Sequence, residues 1–277
     1  MTKELPPLRE VIEHYGLAAR KSLGQHFLLD LNITRKIARL ANVKPGDKVL
    51  EIGPGPGGLT RALLEAGANV IAIERDHRCI KALAELATHY PSHLNIIEAD
   101  ALAVNEQEML GDERVKIIAN LPYNISTELL VKWLKAGPAL WSVMALMFQK
   151  EVADRILSVP GPKTYGRLSI IAQALSTPSR GFDLPARAFT PPPKVDSTIV
   201  LFDPPSKPFG HIHELEKITQ AAFSQRRKML RSSLKPVFKE RLKQILESVG
   251  VKETQRAEEV TVEQYKSLAS NQAVSTS

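Results

Sequence analysis

The chain has 277 residues, with 37 Lys and Arg against 30 Asp and Glu, a formal charge of +7, and 43% hydrophobic residues; its pI is about 9.4. That balance describes a globular chain rather than a disordered one, and at roughly 150 residues per domain it suggests one large domain, alone or with an appendage. A single cysteine, Cys79, excludes an internal disulfide and a cysteine-rich zinc site, and no metal is expected. The start of the chain has no apolar h-region of a secretory signal, and runs such as residues 143–148 fall far short of the roughly 20 residues of a membrane span. The expectation is a soluble, cytoplasmic protein without a membrane partner.

In chain order, residues 48–52 read as a buried strand, 59–64 as a helix, 69–73 as a strand and 76–88 as a helix. Residues 94–97 and 115–119 read as further strands, and 126–135 as a helix that Ser126 is placed to cap. Residues 141–148 form another apolar run of strand length, 150–157 and 168–175 have helical spacing, and 197–202 reads as a strand. Such alternation predicts an α/β fold with a parallel, doubly wound sheet, in which ligands bind beyond the carboxyl ends of the strands. After the turn-rich stretch 203–210, residues 213–223, 226–234, 238–249 and 261–268 all have helical spacing. The expected organisation is an N-terminal segment over 1–45, a sheet domain over 46–204 and a small all-helical domain over 205–277, with a frayed polar tail from 271. Between Leu215 and Ile245 stand nine basic residues against two acids, so this segment alone carries +7, the net charge of the whole chain. Within this segment no base has an acidic partner at i,i+4, which favours a phosphate-binding surface over a salt-bridged helix face.

Glu51-Ile-Gly53-Pro-Gly55-Pro-Gly57-Gly58 places four glycines in six residues between a strand and a helix, where backbone can approach a bound ligand closely. Glu74 ends the next strand, where a carboxylate can accept both hydroxyl hydrogens of a ribose. Gly53, Gly55 and Gly58 satisfy the dinucleotide fingerprint, whereas Gly53, Gly55 and Gly57 satisfy the tighter loop of S-adenosylmethionine enzymes. Glycine spacing leaves both open.

Directly after the strand 115–119 comes Asn120-Leu121-Pro122-Tyr123, which resembles the Asn/Asp-Pro-Pro-Tyr/Phe signature of methyltransferases that act on exocyclic amino nitrogens. The lone pair of an adenine amino group is delocalised into the ring, so N6 is a poor nucleophile. The Asn120 side-chain oxygen and the Leu121 carbonyl can each accept one N6 hydrogen, which favours a pyramidal nitrogen with its lone pair aimed at a methyl carbon. Pro122 stiffens the turn, and Tyr123 offers a ring for the base to stack on. A dehydrogenase has no use for this motif.

The glycine loop, residues 21–28, 98–101 and 120–127, Phe148-Gln-Lys-Glu151, Tyr165-Gly-Arg-Leu-Ser169, Phe189-Thr-Pro-Pro-Pro-Lys-Val-Asp-Ser197 and Phe223-Ser-Gln-Arg-Arg-Lys228 follow in an order that resembles the ribosomal RNA adenine N6,N6-dimethyltransferase family, most of all its bacterial small-subunit branch. The resemblance covers residues 18–270. It implies a Rossmann-like class I methyltransferase sheet with a helical C-terminal domain, and S-adenosylmethionine as methyl donor. His26, Leu28, Gly53, Gly55, Glu74, Asp100, Ala101 and Asn120 would hold the donor, with Asp100 near its adenine amino group and Asn120 beside its methionine moiety; many relatives have Asn in place of His26. Phe189 would lie opposite Tyr123 and sandwich the adenine; by residue type alone it reads as a core aromatic. Leu121, where Pro is commoner, would leave room for an N6 already bearing one methyl. The substrate would be two adjacent adenosines in a hairpin loop near the 3′ end of 16S rRNA, in a partly assembled small subunit, with Arg226, Arg227, Lys228 and Arg231 on the RNA and the enzyme a monomer. Rival readings are a large-subunit rRNA dimethyltransferase of the antibiotic-resistance type, an RNA-binding assembly factor in which methylation is secondary, and a DNA adenine methyltransferase.

Overall fold

The computed structural model describes residues 5–20 and 24–273. Lys21, Ser22 and Leu23 of the family-like block, the first four residues and the last four of the polar tail lie outside the described residues. In chain order the strands are β1 (Phe27–Leu28), β2 (Lys48–Ile52), β3 (Asn69–Glu74), β4 (Leu94–Glu98), β5 (Val115–Ala119), β6 (Trp141–Gln149), β7 (Thr177–Leu184), β8 (Phe189–Thr190) and β9 (Ser197–Asp203). The helices are α1 (Leu8–His14), α2 (Leu31–Leu40), α3 (Gly58–Glu65), α4 (His77–His89), α5 (Glu106–Leu110), α6 (Ser126–Ala136), α7 (Lys150–Ile156), α8 (Arg167–Leu175), α9 (Ile212–Ser224), α10 (Leu230–Ser233), α11 (Lys235–Phe238), α12 (Leu242–Ser248) and α13 (Val262–Ala273).

Seven strands form one sheet in the order β4-β3-β2-β5-β6-β9-β7, while β1 and β8 pair separately. β2 lies between β3 and β5, parallel to both, so the chain reverses its direction of growth across the sheet at β2. The expectation of a parallel sheet holds from β4 to β6 and then changes, because β9 runs antiparallel to β6 from Met144↔Phe202 to Gln149↔Ser197. β2, β5 and β6 are covered on both faces, which explains their largely apolar sequences. Val49, Val70, Ile118, Ala145 and Ile199 of the sheet join Ile37, Leu63 and Leu83 of α2, α3 and α4 in one core.

The chain divides into two compact units, one of Met1–Ala153 with Ser179–Asp203, the other of Asp154–Pro178 with Pro204–Ser277. The limits therefore differ from 1–45, 46–204 and 205–277: the N-terminal segment joins the sheet unit, and residues 154–178 join the helical one. The physical reason is packing, since α9 lies against α8 and α13. Within the helical unit Tyr165, Phe223 and Tyr265 form an aromatic cluster, and the buried Tyr165 and Tyr265 hydroxyls donate to the Val260 and Ala257 carbonyls at 2.8 and 2.9 Å. The helix expected over 226–234 is instead a turn followed by the short α10, and that over 238–249 breaks at Lys239, whose φ is +52°.

Candidate active site

A cleft of about 1120 Å³, counted with its solvent-filled mouth, opens at the carboxyl ends of β2, β3, β4 and β5. His26, Leu28, Gly53, Gly55, Glu74, Asp100, Ala101, Asn120, Leu121, Pro122 and Tyr123 all line it. Phe189 does not. The loop after β2 depends on its glycines at two points. Gly55 has φ +56°, and a Cβ on it would stand 3.0 Å from the Phe27 ring. At Gly58 a Cβ would stand 2.4 Å from the Leu28 carbonyl oxygen, so the loop and β1 approach backbone to backbone.

Glu74 is 6% exposed. Its Oε1 accepts the N–H groups of Arg75 and Asp76 at 2.8 Å each, and its Oε2 accepts that of Gly55 at 3.0 Å. A carboxylate has about four acceptor directions, so one remains, on Oε2. The expectation of two ribose hydroxyls on this carboxylate is thereby reduced to one. Burial raises the Glu74 pKa in spite of these donors. Two residues on, the Arg78 guanidinium holds the Asp76 carboxyl at about 2, and Asp76 caps α4 through the Arg78 N–H. Asp100 accepts the Leu102 N–H on Oδ1 and the Arg75 guanidinium on Oδ2, both at 3.1 Å. The turn-capping role and the cleft-lining position thus belong to the same side chain.

Glu51 is the residue that sequence reasoning missed. An acid inside the buried strand Lys48-Val-Leu-Glu-Ile52 was the available signal. It is 1% exposed, lines the cleft, and its Oε2 has no hydrogen-bond partner among the described residues. Burial, with the nearby Glu74 charge adding to it, pushes its pKa up to about 8, so the group is largely protonated at neutral pH.

Residues 24–28 cross the cleft as a strap. Gln25 donates to Asp76 Oδ2 at 3.0 Å, Phe27 and Leu28 pair with Thr190 and Phe189, and the His26 Nδ1 lies 2.8 Å from the Pro191 carbonyl. Asn120 Nδ2 donates to the His26 carbonyl at 3.0 Å. That bond settles the amide's orientation and leaves Asn120 Oδ1, like the Leu121 carbonyl, without a partner among the described residues. Ser126 does not cap α6 with its side chain; its hydroxyl donates back to the Tyr123 carbonyl at 3.1 Å, tying the motif to the helix. The Tyr123 and Ser197 hydroxyls lie 2.6 Å apart. The ring facing Tyr123 is that of His26, with centroids 5.4 Å apart and planes 28° apart. Phe189 is 2% exposed and belongs to the core with Leu28, Ile37 and Ile199, because its register opposite Leu28 turns it inward.

In the helical unit Arg227, Lys228 and Arg231 are exposed and have no ion-pair partner among the described residues. Arg226 is engaged otherwise. Its guanidinium donates to the Lys163 and Pro162 carbonyls at 2.8 and 3.2 Å and faces Glu258, so it anchors the loop before α8. Among the described residues no group of three His, Cys, Asp or Glu side chains is arranged to hold a metal ion, and no helix is long and apolar enough to cross a membrane.

The strand order and a cleft at the carboxyl ends, with a glycine loop, an acid after the next strand and unpartnered oxygens after β5, define a Rossmann-like methyltransferase. Residues 16–273 match the family described as Ribosomal RNA adenine dimethylase, and the chain belongs to that family. A protein of Xanthobacter autotrophicus named Ribosomal RNA small subunit methyltransferase A is 53% identical over 270 residues, spanning 96% of this chain and 93% of its own. A protein of the same name from Sinorhizobium medicae is 54% identical over 269 residues, spanning 96% and 97%. Among solved structures, a dimethyladenosine transferase from Plasmodium falciparum superposes with a TM-score of 0.77 at 29% identity over 88% of this chain and 96% of its own. The 23S rRNA methyltransferase ErmE gives 0.69 at 27% over 89% and 99%.

Proposed function

We infer that this enzyme transfers methyl groups from S-adenosylmethionine to N6 of adenine in small-subunit rRNA, giving N6,N6-dimethyladenosine. The observation that carries the reading is the pair of unpartnered oxygens after β5, Asn120 Oδ1 and the Leu121 carbonyl. The His26 carbonyl occupies the Asn120 amide hydrogen-bond donor, so the oxygen is free for an amino hydrogen. Two acceptors placed before the base arrives require no reorganisation during reaction, which is how preorganised polar groups lower a barrier. The donor, when bound, supplies an electrophilic methyl carbon; the chain's part is to hold it and to aim the amine.

The cleft fits such a donor. The glycine loop admits close backbone approach, Glu74 Oε2 keeps one acceptor direction for a ribose hydroxyl, and the Ala101 N–H has no partner among the described residues and suits a ring nitrogen. Tyr123 would stack the extruded base on the ring face that His26 does not cover, and a loop adenosine costs little to unstack. Arg227, Lys228 and Arg231 would bind phosphates and position the RNA rather than choose the base. The substrate adenosines are the adjacent pair in the hairpin loop near the 3′ end of 16S rRNA, presented by a partly assembled subunit to a monomeric cytoplasmic enzyme.

The test is transfer of labelled methyl from S-adenosylmethionine to unmodified small and large subunits, followed by nucleoside analysis. Dimethyladenosine should form in the small subunit, and Asn120→Ala should slow it by roughly 10²–10³-fold while donor binding falls far less. Label confined to large-subunit RNA, or an Asn120→Ala enzyme as fast as the wild type, would overturn the reading.

A further inference from the structure

Lys132 lies on α6, nine residues after Tyr123 in sequence, and its ammonium reaches the backbone of the cleft-lining Ala101. Its Nζ donates to the Ala101 carbonyl at 3.2 Å, to the Val104 carbonyl and to Glu106 Oε1 at 3.0 Å, with Glu106 Oε2 ion-paired at 2.8 Å. Glu106 is buried and also accepts the indole N–H of Trp133 at 2.7 Å. The Ala101 carbonyl and the Leu102 N–H belong to one peptide plane. The carbonyl end is held by Lys132 and the N–H end by Asp100 Oδ1, at 3.1 Å. A planar peptide gripped at both ends cannot rotate, so the Lys132 bond fixes the direction from which Asp100 is held.

We propose that Lys132 is a positioning residue that orients Asp100, through the 101–102 peptide, toward the amino group of the donor's adenine. This rests on the reading that residues 100–102 receive that adenine. The arrangement also explains why a cation stands on this face of α6. Glu106 alone could be satisfied by Trp133 and a neutral donor, but two carbonyls and a carboxylate converging on one point call for an ammonium with three N–H groups. Ser126 ties the start of α6 to the Tyr123 carbonyl, so one helix holds both the target-base motif and the wall that reads the donor's base.

The experiment compares calorimetric binding of S-adenosylhomocysteine and its 6-deamino analogue, in which a hydrogen replaces the adenine amino group and the ring nitrogens keep their lone pairs. The full-length wild type and the variants Lys132→Met, Lys132→Arg and Trp133→Phe are measured, each with a thermal unfolding curve. The wild type should favour the adenine form roughly tenfold, the value of one well-made hydrogen bond. In Lys132→Met that ratio should fall below about threefold, with affinity for the deamino form little changed. Should Lys132→Met fail to fold, Lys132→Arg carries the test: it keeps a cation against Glu106, but its planar fork cannot reproduce the grip on both carbonyls, so the ratio should again drop. Trp133→Phe should lower the unfolding temperature and leave the ratio intact. A wild-type ratio in a folded Lys132 variant, or equal loss in Trp133→Phe, would overturn the assignment. A wild type that does not discriminate at all would instead refute the adenine-wall reading on which it rests.

Discussion

Replacing Glu51 with glutamine keeps the shape of the side chain and removes its titration. In the folded chain the carboxyl is pushed up to about 8 from an ordinary 4.5. Below pH 4.5 both folded and unfolded chains hold the proton. Between 4.5 and 8 only the folded chain does, so stability falls as pH rises, by about 1.4 kcal/mol per pH unit. The loss ends as pH passes through the folded value, where the buried group ionises in either state. The Glu51→Gln variant has no such slope. The stability difference between Glu51→Gln and wild type should therefore move in favour of the variant by about 3 kcal/mol between pH 5.5 and 8. Because the difference between the two proteins is taken at each pH, carboxyls not coupled to Glu51, such as Asp76 held at about 2, cancel. Urea unfolding of both proteins at pH 5.5, 7 and 8, without methyl donor, measures it. Stability curves that stay parallel across that range would show that Glu51 ionises normally and would refute the account of its burial.

Four further outcomes are expected. Gly58→Ala should destabilise by about 1–3 kcal/mol and weaken donor binding, because the new Cβ meets a backbone carbonyl and overpacking there outweighs the better helix propensity of Ala; thermal unfolding and equilibrium dialysis check both. Phe189→Ala should cost about 3–5 kcal/mol in urea unfolding, as a core deletion does, whereas a stable but inactive variant would return Phe189 to the base site. Removing Arg227, Lys228 or Arg231 should flatten the salt dependence of RNA binding by roughly 0.7–0.9 log unit per contact. Arg226→Ala should change that slope less and lower the unfolding temperature more, since its guanidinium holds the Pro162 and Lys163 carbonyls.

The central strands were legible because parallel strands covered on both faces are largely apolar, as in Lys48–Ile52 and Val115–Ala119, where Glu51 and Lys116 are the interior exceptions. β7 was not, since it lies at the sheet edge, is largely exposed, and carries Pro178 and Gly181. β1 and β8 have two residues each, too few for any periodicity, and they exist only through each other. The cleft-lining residues were readable wherever a local motif carried them, from Gly53 to Tyr123. What local reading could not give was how the side chains share out their bonds: that Glu74 commits most of its acceptors to backbone, that Ser126 bonds backward, that Arg226 holds a loop and that Phe189 turns inward. Each depends on a neighbour that no local motif contains.

The strap has a consequence for how the protein comes into being. His26 and Pro191 are 165 positions apart, and the strap's pairing partner in β8 is made long after the glycine loop and the Asn120 motif. A nascent chain that has emerged only as far as β6 already contains every cleft-lining residue, but the backbone pairing of Phe27 and Leu28 with β8 is not yet made. Closing so long a loop is an entropic step that waits on translation, so competence to grip a methyl donor should arrive late and abruptly on the ribosome, at the length where β8 clears the exit tunnel.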